Sequence, residues 1–382
     1  MLYDFNFGQH PVFMLVLSGM LVLSFLIYLF YYLVFFRKLA RKKNTKAEQA
    51  VAPSFPVSIV IAAKNEYLNL KENLPFLLNQ DYDDFEIVIV DDHSTDDTWD
   101  LLCAFRIHNP HLRIIRLTDS VVNSEGKKFP LSVGIKEARH SVLLLTDADC
   151  RPTGPDWITA MAAAYSSNTG FVLGYGKYYQ HRGCLNKLIR FDTMHVAMQY
   201  FSAALSRFPY MGVGRNLSYK KEIFIHSNGF VSHYDLMSGD DDLFVSEHAT
   251  RNNTATCTDP KSFTFSEPKH RFGDWWQQKK RHFTTGPRYH FKHKFYLGFY
   301  SLNVLLFPLL AAVLLLNQYQ IIAVSAIVLI KWMVQWIIYA GVTKKLKERK
   351  ILLISPVLET ILALLYSLIH ISNLINKPGR WK

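Results

Sequence analysis

Charge is scarce in this chain: Asp, Glu, Lys and Arg make up only 19% of its 382 residues, against 49% hydrophobic and 14% aromatic. A water-soluble enzyme of this length seldom carries so little charge, and the length leaves room for about two domains. Cysteine is sparse as well. Cys103, Cys150, Cys184 and Cys257 form no Cys-x-x-Cys pair, which argues against structural zinc and a disulfide framework and makes reduced thiols the simplest state. Acids are outnumbered 31 to 43 by Lys and Arg, for a net charge of +12. With neither zinc-finger spacing nor a basic helix carrying a dimerisation repeat, this excess is not a nucleic-acid footprint, and no nucleic-acid partner is expected. Much of it lies beside hydrophobic segments, where it suits membrane lipids with anionic headgroups.

Residues 11–36 hold no charged side chain at all. At 1.5 Å per residue a helix of that length spans the roughly 30 Å hydrocarbon core with some tilt. Its uncharged start and its length argue against a secretory signal peptide. Three further runs, 296–316, 321–342 and 351–371, are candidate spans, although Lys331 interrupts the second and Pro356 and Glu359 the third. Lys331 and Glu359 fall at similar depth, so either they pair within the membrane or each faces a water-filled cavity or acceptor path. Arg37, Lys38, Arg41, Lys42, Lys43 and Lys46 follow the first span, whereas only Asp4 precedes it. The positive-inside rule then places the N-terminus outside and the following domain in the cytoplasm. Basic residues 344–350 agree. Lys377, Arg380 and Lys382 would lie outside if 351–371 crossed completely, so that segment is alternatively re-entrant or interfacial. The expected organisation is an N-terminal transmembrane helix and basic linker (1–52), a cytoplasmic domain with interfacial helices (53–294) and a C-terminal membrane region (295–382).

The middle stretch has α/β punctuation. Apolar runs at 57–63, 86–90, 113–117 and 142–145 read as strands, separated by helical patterns at 68–78, 99–105 and 132–138. Asp96 or Thr95 is placed to cap the second of these helices. This rhythm predicts a parallel sheet with crossover helices. The fourth strand stops on Asp147-Ala148-Asp149. Two acids one residue apart at the carboxyl end of a buried strand can hold a hard divalent cation, although an isolated pair also serves as a plain strand end or cap.

Several motifs in fixed order carry more weight than any alone. Val57 to Glu66, Val90-Asp91-Asp92-His93-Ser94, Gly126-Lys127-Lys128, Asp147-Ala148-Asp149, Gly239-Asp240-Asp241 and Gln278-Lys279-Lys280-Arg281 resemble the motif set of family 2 glycosyltransferases. More narrowly they resemble its membrane-integrated members, such as processive polysaccharide synthases and ceramide glucosyltransferase. The resemblance implies a GT-A fold, a Rossmann-like nucleotide-binding α/β domain, flanked here by transmembrane helices. It implies a UDP-sugar donor held through Glu66, Asp91, Asp92 and Ser94, with Lys127 facing the diphosphate and Lys128 an equal geometric candidate. Asp149 would ligate Mn2+ or Mg2+, with Asp147 toward the sugar or ribose and the metal. In an inverting displacement one carboxylate takes the acceptor proton. Alignment makes this base Asp241, and a shift of one residue makes it Asp240. Gln278 and Arg281 would reach the diphosphate. His282 stands where processive members usually carry tryptophan, which weakens polymer synthesis.

Residues 181–210 read as an amphipathic helix, lining the acceptor entrance or packing in the core. Gly214-Arg215-Asn216 is expected to shape the acceptor pocket. Trp275 and Trp276 read as headgroup anchors, and basic, aromatic 281–294 as an interfacial linker. His195 and His226 receive no role. The resulting expectation is an inverting hexosyltransferase in a bacterial inner or plasma membrane, transferring a hexose or N-acetylhexosamine to a lipid acceptor. Alternatives are a processive synthase of a GlcNAc or glucose polymer, with a glycan acceptor, and an inactive nucleotide-sugar-binding partner subunit.

Overall fold

The computed structural model describes residues 11–43, 55–118 and 126–376, so Asp4, Lys46, Lys377, Arg380 and Lys382 lie outside the described residues. The chain divides into two compact units, one of Met1–Lys42 with His290–Leu368, the other of Lys43–Tyr289 with Ile369–Lys382.

The second unit is built on a mixed sheet. Strands β1 (Val57–Ala63) and β2 (Phe85–Asp92) are buried along their whole lengths, as continuous apolar runs covered on both faces require. With β3 (Leu112–Leu117) and β4 (Val142–Leu145) they pair in parallel in the order β3-β2-β1-β4. Helices Tyr67–Leu78, Thr98–His108 and Lys128–Glu137 lie between these strands in sequence. The third helix starts before residue 132 because Pro130 falls in its first turn, where a missing N–H costs nothing.

The chain then adds β5 (Cys150–Pro152), β6 (Phe171–Leu173), β7 (Gly176–Tyr178), β8 (Leu217–Lys220), β9 (Thr254–Thr256) and β10 (Thr264–Ser266). The main sheet continues β4-β8-β6-β9, while β5-β10-β7 form a small second sheet. An all-parallel sheet is therefore not what forms: β8 runs antiparallel to both β4 and β6. A hydrophobic core of Ile59, Ile61, Leu74, Ile87, Ile89, Leu144, Trp157 and their neighbours fixes one face.

Helix Cys184–Leu205 is buried nearly all round, through Ile189, Phe191, Met194, Met198, Tyr200 and Phe201, so core packing accounts for its apolar residues. Trp275 is likewise buried, its indole N–H donating to Asp192 Oδ2 at 3.3 Å. It is an internal strut and not a headgroup anchor.

The first unit contains helix Pro11–Phe30, continued by a π-helical turn Tyr31–Phe36 and by Arg37–Arg41. Phe291–Leu316, Ile321–Lys345 and most of Ser355–Ile375 complete it. All four helical segments are long and apolar enough to cross a membrane. Pro356 does not break the last helix, because it occupies the second position.

Glu359 is the polar centre of this unit. Its Oε2 accepts from Tyr28 at 3.0 Å and Gln335 at 2.8 Å, with Lys331 Nζ at 3.5 Å. Its Oε1 accepts from Tyr32 at 2.5 Å, from Tyr300, and from Tyr339 at 3.4 Å. Lys331 also donates to Gln335 Oε1 at 2.7 Å and sits 4.3 Å from the centre of the Tyr28 ring. Of the two readings offered for Lys331 and Glu359, the pairing is the one the contacts match, inside a hydrogen-bonded cluster. Stripping one partner from a buried pair costs about 3–5 kcal/mol. Glu359→Leu is expected to lower the thermal unfolding midpoint of the detergent-solubilised protein by that equivalent, with part recovered in Glu359→Leu/Lys331→Met. An unchanged midpoint would show that the cluster contributes nothing to stability.

Candidate active site

Both central strands end in left-handed turns, at Asn65 (φ 55°) and His93 (φ 55°). The two loops are laced together there. Asn65 N donates to Ser94 Oγ at 2.9 Å, Thr95 N to Asn65 Oδ1 at 2.8 Å, and Glu66 N to Thr98 Oγ1 at 2.9 Å. Asp97, neither of the two expected candidates, holds the N-cap position of the following helix, while Asp96 accepts from Thr98 N at 3.1 Å from one residue further back. Glu66 Oε2 accepts from Asn69 at 2.5 Å, and Asp92 pairs with Lys64 at 3.6 Å and His93 at 2.9 Å. Asp91 differs from these. It is fully buried, and neither carboxylate oxygen has a hydrogen-bond partner among the described residues, although Arg116 Nε lies 3.7 Å away. A buried carboxylate without a donor is costly unless something supplies one.

The end of β4 delivers Asp147 and Asp149. Asp147 pairs with Lys127, whose Nζ is also 3.8 Å from Asp240. Burial alone would raise the Asp147 pKa, but the Lys127 ammonium outweighs it and holds the carboxyl below its ordinary range. Among the described residues no salt bridge joins Asp149 to a cation, although the charges of Arg215 and Lys127 reach it. Burial and the neighbouring charge of Asp147 push it upward. Single donor atoms of Asp147, Asp149 and Cys150 all lie within 4.8 Å of one another. The carboxylates fit a hard divalent cation, whereas burial and the two acids keep the Cys150 thiol protonated and a poor ligand. Asp149, less committed than Asp147, is the better first ligand.

The Gly239–Asp242 segment separates the three acids. Asp241 Oδ2 accepts from Gly214 N at 2.6 Å and its Oδ1 from Asp242 N at 2.7 Å. A Cβ at Gly214 would meet Asp241 Oδ2 at 3.3 Å, so a larger residue there would press on this carboxylate. Asp242 is buried and committed, accepting from Thr285 Oγ1 at 2.5 Å and Tyr289 OH at 2.8 Å. Asp240 faces Lys127. Burial first, then the charges of Asp240 and Asp242, raises the Asp241 pKa to about 8.

The Gln278 to His282 run lies on helix Phe272–His282. Lys279 is held by Asp192 at 2.6 Å and Lys280 Nζ donates to Asn376 O at 2.9 Å. These anchors leave Gln278 and Arg281, three residues apart, on another side. Gln278 Nε2 is 3.4 Å from Tyr178 OH, and the charge of Arg281 reaches Asp147. Arg215 stacks over the Tyr178 ring at 4.3 Å and donates to Ser266 Oγ at 3.2 Å. His282 is set among Lys279, Arg281 and Arg215, and desolvation first, then those cations, lower its pKa. Lys127, Asp147, Asp149, Arg215, Asp240, Asp241, Gln278 and Arg281 are each only partly accessible.

The structure therefore links Lys127 with Asp147, Asp240 and Asp241, and Arg281 and Arg215 with Asp147, while Asp149 lies beside Asp147 and Gln278 and His282 share the Arg281 helix. Glu66, Asp91, Asp92 and Ser94 cluster at the ends of β1 and β2, the same sheet edge at which β4 ends. Lys127 and Lys128 part company: Lys128 is buried and donates to the carbonyls of His233 and Leu236. Asn216 is an internal staple, bonded to Trp157, Tyr175 and Ser262. Tyr178, Thr285 and Tyr289 were not anticipated. The single cue for the last two was that a third adjacent acid, if buried, must have donors somewhere nearby.

Residues 58–232 match the sequence family described as Glycosyl transferase family 2. That segment, just under half of the chain, is thus similar to a family 2 glycosyltransferase domain, and the fold is of the GT-A class. It is 30% identical over 93 residues to a poly-beta-1,6-N-acetyl-D-glucosamine synthase of Staphylococcus epidermidis, covering 24% of this chain and 21% of that protein. It is 36% identical over 95 residues to a poly(ribitol-phosphate) beta-glucosyltransferase of Bacillus spizizenii, covering 24% and 14%. The matches thus span about a fifth or less of these curated relatives. A mannosyltransferase of Pyrobaculum calidifontis, solved with GDP-Man and Mn2+, shares the fold at a TM-score of 0.57 and 19% identity, over 88% of this chain and 99% of that one.

If Asp149 is the principal ligand, Asp149→Asn should abolish Mn2+ binding in isothermal titration calorimetry, while Cys150→Ser leaves it intact. Strong binding by Asp149→Asn would move the ligand role elsewhere.

Proposed function

We propose that this chain is a membrane-bound inverting glycosyltransferase that takes a hexose or N-acetylhexosamine from a UDP-sugar and adds it to a lipid acceptor at the cytoplasmic face. The observation that carries the reading is Lys127 standing between a metal-competent acid pair, through Asp147, and the Asp240–Asp241 segment that holds a carboxylate poised as a base. The buried, hydrogen-bond-deficient Asp91 supports a nucleotide donor, because the imide N–H of uracil would supply what it lacks. Glu66, Asp92 and Ser94 form the rest of that loop pair.

Each charged group then has one task. Lys127, Gln278 and Arg281 would bind and orient the diphosphate. Asp149, with Asp147, would hold Mn2+ or Mg2+, which when bound neutralises charge on the leaving nucleotide. Asp241 would take the proton of the acceptor hydroxyl on a carboxylate oxygen, and the Gly214 N–H fixes that carboxylate. Asp242 is spent on Thr285 and Tyr289, which leaves Asp241 or, by position, Asp240. The raised pKa favours Asp241, since a base with a pKa near the working pH accepts a proton most effectively.

The relatives named above favour a second reading, in which the acceptor is a growing polymer. The histidine at position 282 weighs toward single addition. Incubation with UDP-glucose, UDP-GlcNAc and GDP-mannose, with membrane lipids as acceptor, separates these readings by mass spectrometry. A single-sugar increment on a lipid supports the first, a ladder the second, and transfer from GDP-mannose alone overturns the UDP assignment. Binding of UDP without turnover on any acceptor would indicate an inactive partner subunit.

Asp241→Asn should lower UDP release by about 10²–10⁴-fold, the contribution usual for a positioned base, with donor binding retained. Because the folded Asp241 pKa is raised, the base is protonated below about 8. The log of kcat/KM should therefore fall with unit slope as pH drops through that value and level off above it. A flat profile from pH 6 to 9 would remove Asp241 from the role.

A further inference from the structure

Gly126, Lys127 and Lys128 make three different contacts with the chain that leads into the acid segment. Lys127 reaches Asp240 at 3.8 Å as well as Asp147. Gly126 adopts φ +135°, and a side chain there would meet Met237 O at 3.1 Å. Lys128, the first residue of helix Lys128–Glu137, is almost wholly buried, and its ammonium donates to His233 O at 2.7 Å and Leu236 O at 2.5 Å. Two adjacent lysines thus address one loop at two levels, the first through its side chains and the second through its backbone.

The contacted stretch has little other regular structure. A short 3-10 turn, Val231–His233, is followed by a segment without strand or helix up to Asp242, where helix Asp242–His248 begins. Gly239 takes φ +110°, bending the chain immediately before Asp240 and Asp241. His233 is buried beside Ser232 and Glu247, with Nδ1 2.8 Å from Ser232 Oγ. Main-chain carbonyls in such a loop need donors, and a buried ammonium satisfies two of them with charge-assisted bonds. The same placement buries Lys128 and commits two of its three N–H donors to the loop, away from the Asp147 that Lys127 meets.

We propose that Lys128 is a positioning residue for the base: by gripping the carbonyls of His233 and Leu236, with Gly126 packed on Met237, it sets where Asp240 and Asp241 stand relative to the Lys127–Asp147 end of the donor site. The inference rests on the glycosyltransferase reading, but its contacts can be tested apart from turnover. Misplacing a reacting group by about 1 Å can cost on the order of a hundredfold in rate.

Lys128→Met keeps the buried stem and removes the donors. It is expected to lower kcat for UDP release by about a hundredfold, to leave donor KM and Mn2+ affinity unchanged, and to displace the acid limb of the pH profile. Gly126→Val, which crowds Met237 from the same side, should give the same pattern. A parallel loss of donor affinity in Lys128→Met would overturn the proposal and make Lys128 a donor ligand or a general structural residue, and unaltered kcat would overturn it as well. Hydrogen exchange supplies the arm that needs no activity. Amides from Leu236 to Asp242 should exchange faster in Lys128→Met while those of β1 and β2 do not. Unchanged exchange there would overturn the positioning role even if the wild type proves inactive, whereas an inactive wild type with faster loop exchange in the variant would count against the enzyme reading alone.

Discussion

The candidate active site depends on the pairing of β4 with β8. β4 is parallel to β1 on one side and antiparallel to β8 on the other, with Leu145 opposite Leu217. Reversal of direction at that seam puts the start of β8 beside the end of β4. Gly214 and Arg215, just upstream of β8, consequently lie at the same edge as Asp147 and Asp149. A parallel strand in that place would carry its leading residues to the far end of the sheet. Ligands collect where strand order or direction switches, and here the switch also brings the residue that grips Asp241 within reach of the acid pair.

That geometry explains which parts were legible in advance. The buried strands announced themselves through unbroken apolar runs, and 57–63 and 142–145 were read to the residue. The acids were visible because each stands directly after such a run or beside a glycine bend. β8 was not visible, because Ser218 and Lys220 break the apolar run of Leu217–Lys220 and nothing in it encodes direction. The same limit applies to partners distant in sequence. Asp192 holds Lys279 and Trp275 from 83 or more positions away, and neither helical spacing nor composition distinguishes such a strut from a surface charge.

Adjacent identical residues posed a related difficulty. Lys127 and Lys128, or Asp240, Asp241 and Asp242, differ little as letters, and motif order alone left each set ambiguous. Burial and partners divide them. One lysine meets carboxylates and the other carbonyls, and one acid is consumed by two hydroxyls while its neighbour accepts only backbone N–H bonds. Desolvation is what makes the division consequential, since in an open, hydrated loop these groups would be nearly interchangeable.

The Glu359 cluster carries a consequence for the rotational register of the apolar helices. Hydrocarbon-facing helices present much the same surface all round, so packing alone specifies weakly which face turns inward. Tyr28 and Tyr32, Tyr300, and Lys331, Gln335 and Tyr339 come from three helical segments and converge on one carboxylate of a fourth. Turning any of these segments by one residue, about 100°, would carry a polar group away from the carboxylate and toward lipid. The cluster therefore acts as an index mark, admitting one angular setting of each helix and penalising the others.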